Sequence, residues 1–379
     1  MDPADFANST TGQLVPIPQK QFAFVPNDLP PNLDCSLQLL TQVHDTGHSL
    51  GQVAVIAEYV PSPNLLVIPF LGFEAVLSSR IEGTISTTTA LFEAGVVSAE
   101  EIAAPTLEVV NYLKAMNEGI ALLQELPICM RLVRQLHTTL MQGVRGHEWP
   151  PGEFRRSQVH VGPGRRPIQE AVYIPPPADH LDHLLSAWER FANDDQTLPA
   201  LIQCALLHAQ FEMIHPFYDG NGRVGRLLLS LFLMSKGYLD RPLLFLSAYF
   251  ERHRDEYYNR LLAISQIGDW AGWIAFFLTA VEHQAKVAVR AAREIADLRN
   301  EVRVQFERNR IVQDLVDLLF EHPVVTNRLV ADSLGIAFPT ATRAIGRLVD
   351  VGYLQEITGH ARNQRFAAVK LISAIDRSA

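Results

Sequence analysis

Residues 215 to 226 read His-Pro-Phe-Tyr-Asp-Gly-Asn-Gly-Arg-Val-Gly-Arg. One short run thus holds a titratable base, a carboxylate, turn-forming residues and two arginines, between the apolar stretches Leu206 to Ile214 and Leu227 to Leu233. The expected setting is helix, loop and helix, with Asp219-Gly220-Asn221-Gly222 as the loop and the second helix beginning near Arg223. A helix N-terminus has free N–H groups and a partial positive charge, so it binds anions. Gly220 and Gly222 allow positive φ and a close approach of backbone to phosphate, and Asn221 also tolerates left-handed geometry. Arg223 and Arg226 are three apart, on one side of the first turn. Cations there oppose the helix dipole unless an anion offsets them. Asp219 suits Mg²⁺, which takes one or two carboxylates and completes its shell with phosphate and water oxygens. His215, a residue with an ordinary pKa of about 6.5, suits deprotonation of an attacking hydroxyl. Any one of these residues reads equally well as part of a surface turn. A turn leaves the two arginines unexplained; transfer of a phosphate-containing group explains them.

Such a loop needs a frame. The chain has 379 residues, 48% hydrophobic and 19% charged, enough for two or three domains with a sizeable core. A net charge of -9 and a pI near 5.8 argue against a nucleic-acid-binding surface throughout and leave room for a small basic module. Cys35, Cys129 and Cys204 show neither metal-ligand spacing nor a disulfide framework, which fits a reducing cytoplasm. Residues 1 to 14 lack the basic start and apolar run of a signal peptide, and no window reaches the length of a membrane span. A cytoplasmic protein without membrane contact is expected.

Residues 1 to 35, rich in proline, read as an extended arm. Apolar spacing predicts helices over Leu37 to Tyr59, Ile68 to Glu82 (stopping at Gly83), much of 88 to 126, Leu181 to Phe191 and Leu198 to Ile214. Between Pro150 and Pro177, Gln158 to Val161 and Ala171 to Ile174 read as two short strands about a Gly162-Pro163-Gly164 turn. From Trp273 to His322 there is neither glycine nor proline, and the pattern predicts a solvated linker helix over 281–320. Residues 321–379 then follow the order helix, turn, helix, hairpin: Thr326 caps, Gly335 turns, Pro339 opens the second helix and Gly359 parts two extended runs. That is the order of a winged helix-turn-helix module.

The run from His215 to Arg226 matches the Fic motif, HPFx(D/E)GNGRxxR, at every specified position. The chain therefore resembles Fic-domain proteins over roughly residues 70 to 270. The resemblance implies a mainly α fold, with a helical core at 71–280 behind an N-terminal extension at 1–70. It also implies transfer of AMP from ATP to a Ser, Thr or Tyr hydroxyl of a target protein. By position, His215 would be the base and Asp219 the Mg²⁺ ligand. Gly220, Asn221 and Gly222 would form the anion hole, with Val224 and Gly225 beside it. Arg223 would neutralise the phosphate chain and Arg226 would hold the γ-phosphate. Residues 152–177 resemble the family's flap, which pins the target by strand addition, with Val161 and Gly162 near its tip. Tyr257 and Tyr258 resemble a pair that walls the adenine pocket, although two tyrosines on a helix equally suit a core.

Upstream, Ser78, Glu82 and Gly83 fit the family's inhibitory pattern (S/T)xxxE(G/N). By itself this is a glutamate before a helix-ending glycine. By resemblance, Glu82 on an inhibitory helix at 71–83 would pair with Arg226 and leave ATP in an unproductive pose. Misplacement of that kind costs on the order of a hundredfold in rate. The same glutamate is equally consistent with orienting water for AMP removal.

Residues 323–370 carry Arg328, Arg343, Arg347, Arg362, Arg365 and Lys370 against Asp332, Asp350 and Glu356. DNA contact and protein contact through 321–379 stand level on this balance. A DNA-binding regulator with a nucleotide-sensing site is the competing reading, against which a sensor needs no base at His215. Another nucleotide donor, self-modification and a homodimer all stay open.

Overall fold

The computed structural model describes all residues except 35, 60–63, 145–148, 163–166, 195–197 and 378–379, and except the side chains at 57–59, 64, 65 and 375. In chain order the elements are β1 (Gly12–Ile17), β2 (Gln21–Pro26), α1 (Leu37–Tyr59), α2 (Asn64–Ile81), α3 (Thr88–Glu93), α4 (Ala104–Leu122), α5 (Met130–Leu140), α6 (Leu181–Ala192), α7 (Ala200–Ile214) and α8 (Asn221–Ser235). There follow α9 (Leu246–Arg252), α10 (Arg254–Ile267), α11 (Trp270–Gln305), α12 (Arg310–Glu321), β3 (Val324–Thr326), α13 (Asn327–Leu334), α14 (Phe338–Asp350), β4 (Gln355–Glu356), β5 (Arg365–Ala367) and α15 (Val369–Asp376). The fold is mainly helical, as expected, with small antiparallel sheets. Two units share the chain: residues 1–48, 114–238 and 250–282 form one, and 49–113, 239–249 and 283–379 form the other.

The first unit is built on α7 and α8. Both are buried almost all round, so they form its centre rather than an amphipathic surface layer. Trp273 and Trp188 tie the surrounding helices to α7 by donating to the carbonyls of Ala205 (2.8 Å) and Leu207 (2.9 Å). The expected N-terminal arm is instead a hairpin: β1 and β2 pair antiparallel from Gly12–Pro26 to Ile17–Gln21. Its prolines sit at strand ends or on an edge, where a missing N–H is harmless. Ala23, Phe24 and Val25 are buried, and the Phe24 N–H reaches the Ile174 carbonyl at 2.9 Å.

The second unit centres on α2. This helix starts four residues before the expected Ile68 and carries Pro69 inside it. Most of its residues from Leu66 to Ile81 are buried, including Ser78 and Ser79, so tertiary packing holds a segment whose proline weakens it locally. Phe245 stands edge-on to Phe70 (5.2 Å) and Phe73 (5.6 Å). The linker helix expected over 281–320 is not continuous. It breaks after Gln305, and the Asn309 side chain caps α12 by accepting from the Val312 N–H (3.3 Å). Arg299 and Arg303 then grip Asp317 of α12 at 2.8 and 2.7 Å. The apolar face of α12 packs on α2, and on α13 and α14, rather than facing solvent.

Beyond it, Thr326 caps α13 and Gly335 closes it with φ +63°. Pro339 opens α14, and the strands stand in the order β3-β5-β4. β3 and α15 had no clear signal in the sequence. The sheet is not detached: Val324, Ala367 and Ile372 bury against Phe92 of α3.

Candidate active site

α7 ends at His215, which adopts φ 51° and ψ 62°. A histidine takes this left-handed geometry at a cost, so neighbours must hold it. The buried Arg155 does so. Its Nε donates to the His215 carbonyl (2.8 Å), and Nη2 to the carbonyls of Ile214 (3.2 Å) and Pro176 (2.6 Å). Nη1 reaches the Ser157 carbonyl (3.3 Å), while the Arg155 N–H donates to Pro216 (2.9 Å). Burial lowers the Arg155 pKa to about 10, which leaves it charged at neutral pH.

The loop closes on itself through Asn221. Its side chain accepts from the Phe217 N–H and donates to the Phe217 carbonyl, both at 2.8 Å. Asn221 is therefore the first residue of α8, and the left-handed positions are His215 and Gly220 (φ +80°). This corrects the expected start near Arg223, and the reason is that staple. No side chain caps α8, so its first N–H groups are available to an anion. Arg223 and Arg226 are 3% and 2% exposed, and Arg223 Nη2 lies 3.6 Å from Asp219 Oδ1. The Asp219 side chain is 57% exposed. Among the described residues no group of three or more His, Cys, Asp or Glu gathers to cage a metal. A single exposed carboxylate at an anion loop fits Mg²⁺, which brings phosphate and water oxygens with it.

Two residues of the expected nucleotide set, Val224 and Gly225, are buried. Val224 is buried in the core, and a methyl group on Gly225 would lie 2.5 Å from Glu212 Oε1 and 3.3 Å from the Phe211 ring. Gly225 is small because α7 and α8 cross closely there. Tyr257 is buried as well. It is 1% exposed, bonds His208 Nε2 through its hydroxyl (2.8 Å) and stacks on Phe250 (4.7 Å). Its side chain packs in the core of the first unit. Tyr258 is 38% exposed, with the Arg254 guanidinium 5.8 Å over its ring.

The segment expected as a flap has one antiparallel bridge, Val161 with Tyr173, in place of two strands. Pro175, Pro176 and Pro177 have no N–H to extend a ladder, and the Gln158 side chain takes the Pro175 carbonyl instead (2.8 Å). The Pro163-Gly164 part of the expected turn lies outside the described residues; Gly162 lies just before it. Buried Tyr173 anchors the return limb by donating to the Met213 carbonyl (3.0 Å). Exposed Trp149 stacks on Tyr218 at 3.9 Å, and the Tyr218 hydroxyl accepts from the Arg156 N–H (3.0 Å).

Sequence reasoning missed His137 on α5. It lies flat against Phe217 (3.7 Å, 6°), its Nδ1 accepts from the Gly152 N–H (2.8 Å), and its Nε2 meets the Asp219 carbonyl (3.0 Å). Burial lowers its pKa to about 4. A histidine among Leu132, Val133, Leu136 and Leu140 on an apolar helix face was the available signal.

In the second unit, Glu82 is the first residue after α2 rather than part of its last turn. Gly83 follows at φ +86°, its N–H on the Arg80 carbonyl (2.9 Å), and the Thr84 N–H returns to Ser79 (3.0 Å). Ser78 is buried and Glu82 is exposed.

Residues 127–233 match the Fic/DOC family, and residues 40–121 match the family's N-terminal part. The chain thus carries a Fic/DOC domain, in a mainly helical fold shared with proteins of that class. Among curated relatives, the protein adenylyltransferase Fic of Drosophila erecta is 34% identical over 166 residues, 43% of this chain and 30% of that protein. Its namesake in Drosophila melanogaster is 33% identical over the same shares. The chain therefore spans about three tenths of the length of these relatives. A Fic family protein from Desulfovibrio desulfuricans matches 90% of this chain and 98% of its own, with a TM-score of 0.56 and 18% identity. Residues 134–508 of Fic-1 from C. elegans match 68% and 72%, with a TM-score of 0.50 and 21% identity. At these identities the two structures bear on the fold alone. Among the described residues no helix is long and apolar enough to cross a membrane.

Proposed function

We propose that this chain is a protein adenylyltransferase that moves AMP from ATP to a hydroxyl side chain of a target protein, restrained by Glu82. The observation that carries this reading is the loop itself. A strained histidine, a glycine-turned anion loop, an uncapped helix and two buried arginines converge within residues 215–226. The curated relatives' name points the same way.

In this mechanism His215 takes the proton of a target Ser, Thr or Tyr hydroxyl. The oxygen attacks the α-phosphorus in line, a new P–O bond forms, and the bond to the β-phosphate oxygen breaks to release pyrophosphate. N–H groups from Asn221 to Arg223 and the two guanidiniums would stabilise the charge that develops on the phosphates, while the Gly220 N–H is taken by Asp219 Oδ1 (2.6 Å). Mg²⁺ on Asp219, when bound, would supply further neutralisation of phosphate charge. The Val161 edge of the 152–177 segment would align the target chain by strand addition. Glu82, paired with Arg226, would deny the γ-phosphate its arginine. The same residue orienting water for AMP removal is the finer variant of this reading.

Residues 321–379 would form a winged helix, a reading supported by the order α13, α14, β4, β5, and exposed Arg343 and Arg347 suit an anionic partner. That reading adds a docking surface to the enzyme and does not replace it.

The test is intact mass after incubation with ATP, Mg²⁺ and a cell lysate. Glu82→Gly protein is expected to add AMP to itself or to a lysate protein about a hundredfold faster than wild type. Glu82→Gly/His215→Ala is expected to add none. A gain of phosphate instead of AMP would redirect the reading to a kinase-like reaction. Equal rates for wild type and Glu82→Gly would remove the restraint.

A further inference from the structure

His137 joins two pieces of chain that the reaction needs in register. Its ring meets Gly152, where the flap segment leaves its helix-side anchor, and Asp219, where the anion loop turns. The direction of each bond is fixed. A backbone N–H can only donate, so Nδ1 is the acceptor from Gly152. The proton is then on Nε2, which donates to the Asp219 carbonyl. Burial of the neutral ring is consistent with that single tautomer.

The ring is also held where it stands. Phe217, two residues before Asp219, covers one face at 3.7 Å. Other residues on α5 and at its C-terminal end secure both ends. The Arg134 Nε donates to the Gly152 carbonyl (2.7 Å), and Met141 lies against Gly220 and Arg223. Gly152 has φ +81°, and a methyl there would lie 2.2 Å from Thr138 Oγ1 and 2.9 Å from the Arg134 carbonyl. The flap root therefore has no freedom to drift along α5.

We infer that His137 is a positioning residue that clasps the flap root to the anion loop, so that the target hydroxyl and the α-phosphate meet in one geometry. The inference deepens the transferase reading and rests on it for the roles of the two ends. A displacement of about 1 Å between reacting groups costs on the order of a hundredfold in rate, so a bridge between them is worth one buried histidine.

Two substitutions cut the clasp at opposite ends. In His137→Asn, the amide oxygen takes the place of Nδ1 and keeps Gly152, but the side chain is too short to reach Asp219. In His137→Gln, the amide nitrogen takes the place of Nε2 and keeps Asp219, but no acceptor faces Gly152. The readouts are hydrogen exchange of backbone amides over 152–156 and 217–223, and affinity for ATP with Mg²⁺, on the full chain. His137→Gln is expected to speed exchange about tenfold over 152–156 alone, with ATP affinity within about twofold. His137→Asn is expected to spare 152–156, speed exchange over 217–223 and weaken ATP binding about tenfold. His137→Phe, which keeps the stack on Phe217, is expected to lose both ends. In the Glu82→Gly background it is also expected to lower AMP transfer at least tenfold. Parallel changes at both ends in the Asn and Gln variants, or no change in either, would show a merely structural histidine and overturn the inference. Should His137→Phe fail to fold, the Asn and Gln pair decides alone. If the parent chain binds no ATP, the transferase reading fails, and the exchange pattern still judges the clasp.

Discussion

Two arginine pairs in this chain look alike in sequence and differ in every physical respect. Arg223 and Arg226 lie in the first two turns of α8, are almost wholly buried, and oppose the dipole of an uncapped helix. Arg343 and Arg347 lie on α14, are exposed, and Arg347 sits in the last turn, where the dipole favours a cation. In the first arrangement Asp219, 3.6 Å from Arg223, supplies one counter-charge, and the phosphate of the proposed reaction would add another. The second is stable without any ligand. Position along a helix and depth, rather than residue type, separate a binding arginine from an ordinary one. Two further arginines mark the range between them. Arg155 is buried and answered by carbonyls, and Arg365 is half-buried and answered by Glu93 and Glu101 at 2.5 and 3.1 Å. Arg365 thus drops out of the charge count that made the C-terminal module look basic.

The largest expected effect is at Arg155. Arg155→Ala removes the donor from four carbonyls, at about 1 kcal/mol each, so urea unfolding is expected to show a loss of about 4 kcal/mol. Arg155→Lys keeps the charge without the fork and is expected to recover less than half of that. A loss below about 1 kcal/mol for Arg155→Ala would mean that water replaces the guanidinium, and that His215 is not held from this side.

Acid is next. Burial lowers the pKa of His137 to about 4 and of His208 to about 3. The unfolded chain binds protons at both sites from about pH 6.5. Between those values it binds more protons than the folded chain, so stability falls as pH falls. The expected loss from pH 6.5 to pH 4 is roughly 3 kcal/mol per histidine, most of it already spent at the lower limit for His137. Urea midpoints across that window test it, and His137→Phe is expected to flatten the slope by its share. An unchanged slope in that variant would assign the acid sensitivity elsewhere.

Arg226→Ala addresses the comparison directly. In the Glu82→Gly background, where the proposed restraint is absent, losing a charge-assisted contact to phosphate costs about 2 kcal/mol, a thirtyfold weaker affinity for ATP by calorimetry, while Arg347→Ala is expected to leave that affinity unchanged. Equal affinity in Glu82→Gly and Glu82→Gly/Arg226→Ala would dissolve the distinction drawn between the pairs.

The chemistry of the loop was legible because it is local. His215 to Arg226 are contiguous, and their spacing alone put base, carboxylate, turn and arginines together. The long apolar helices were legible for the same reason, and α1 begins and ends where its periodicity does. What stayed hidden is what distant chain segments settle. His137 is 82 positions from Asp219, and nothing near it in sequence announces the bond. The N-terminal hairpin is stabilised through Phe24 by Ile174, so its own composition read as an arm. Tyr257 sits beside an exposed tyrosine, and helical phase alone did not say which of the two turns inward. The break between α11 and α12 carries neither glycine nor proline. An asparagine cap and the pull of Asp317 on Arg299 and Arg303 make it.

The smallest effect tests the other side of the comparison. Arg343→Ala with Arg347→Ala removes two exposed charges with no buried partner to strand, so stability is expected to stay within about 0.5 kcal/mol. If α14 docks on DNA, binding of a generic duplex to the full chain weakens in the double variant. The slope of log affinity against log salt then becomes shallower by about 2, one phosphate contact per arginine. If the partner is an acidic protein, the duplex binds both forms equally poorly. In either case the surface arginines are expected to change an encounter and leave the fold untouched, whereas the buried pair, on the proposed reading, sets the affinity for ATP through Arg226.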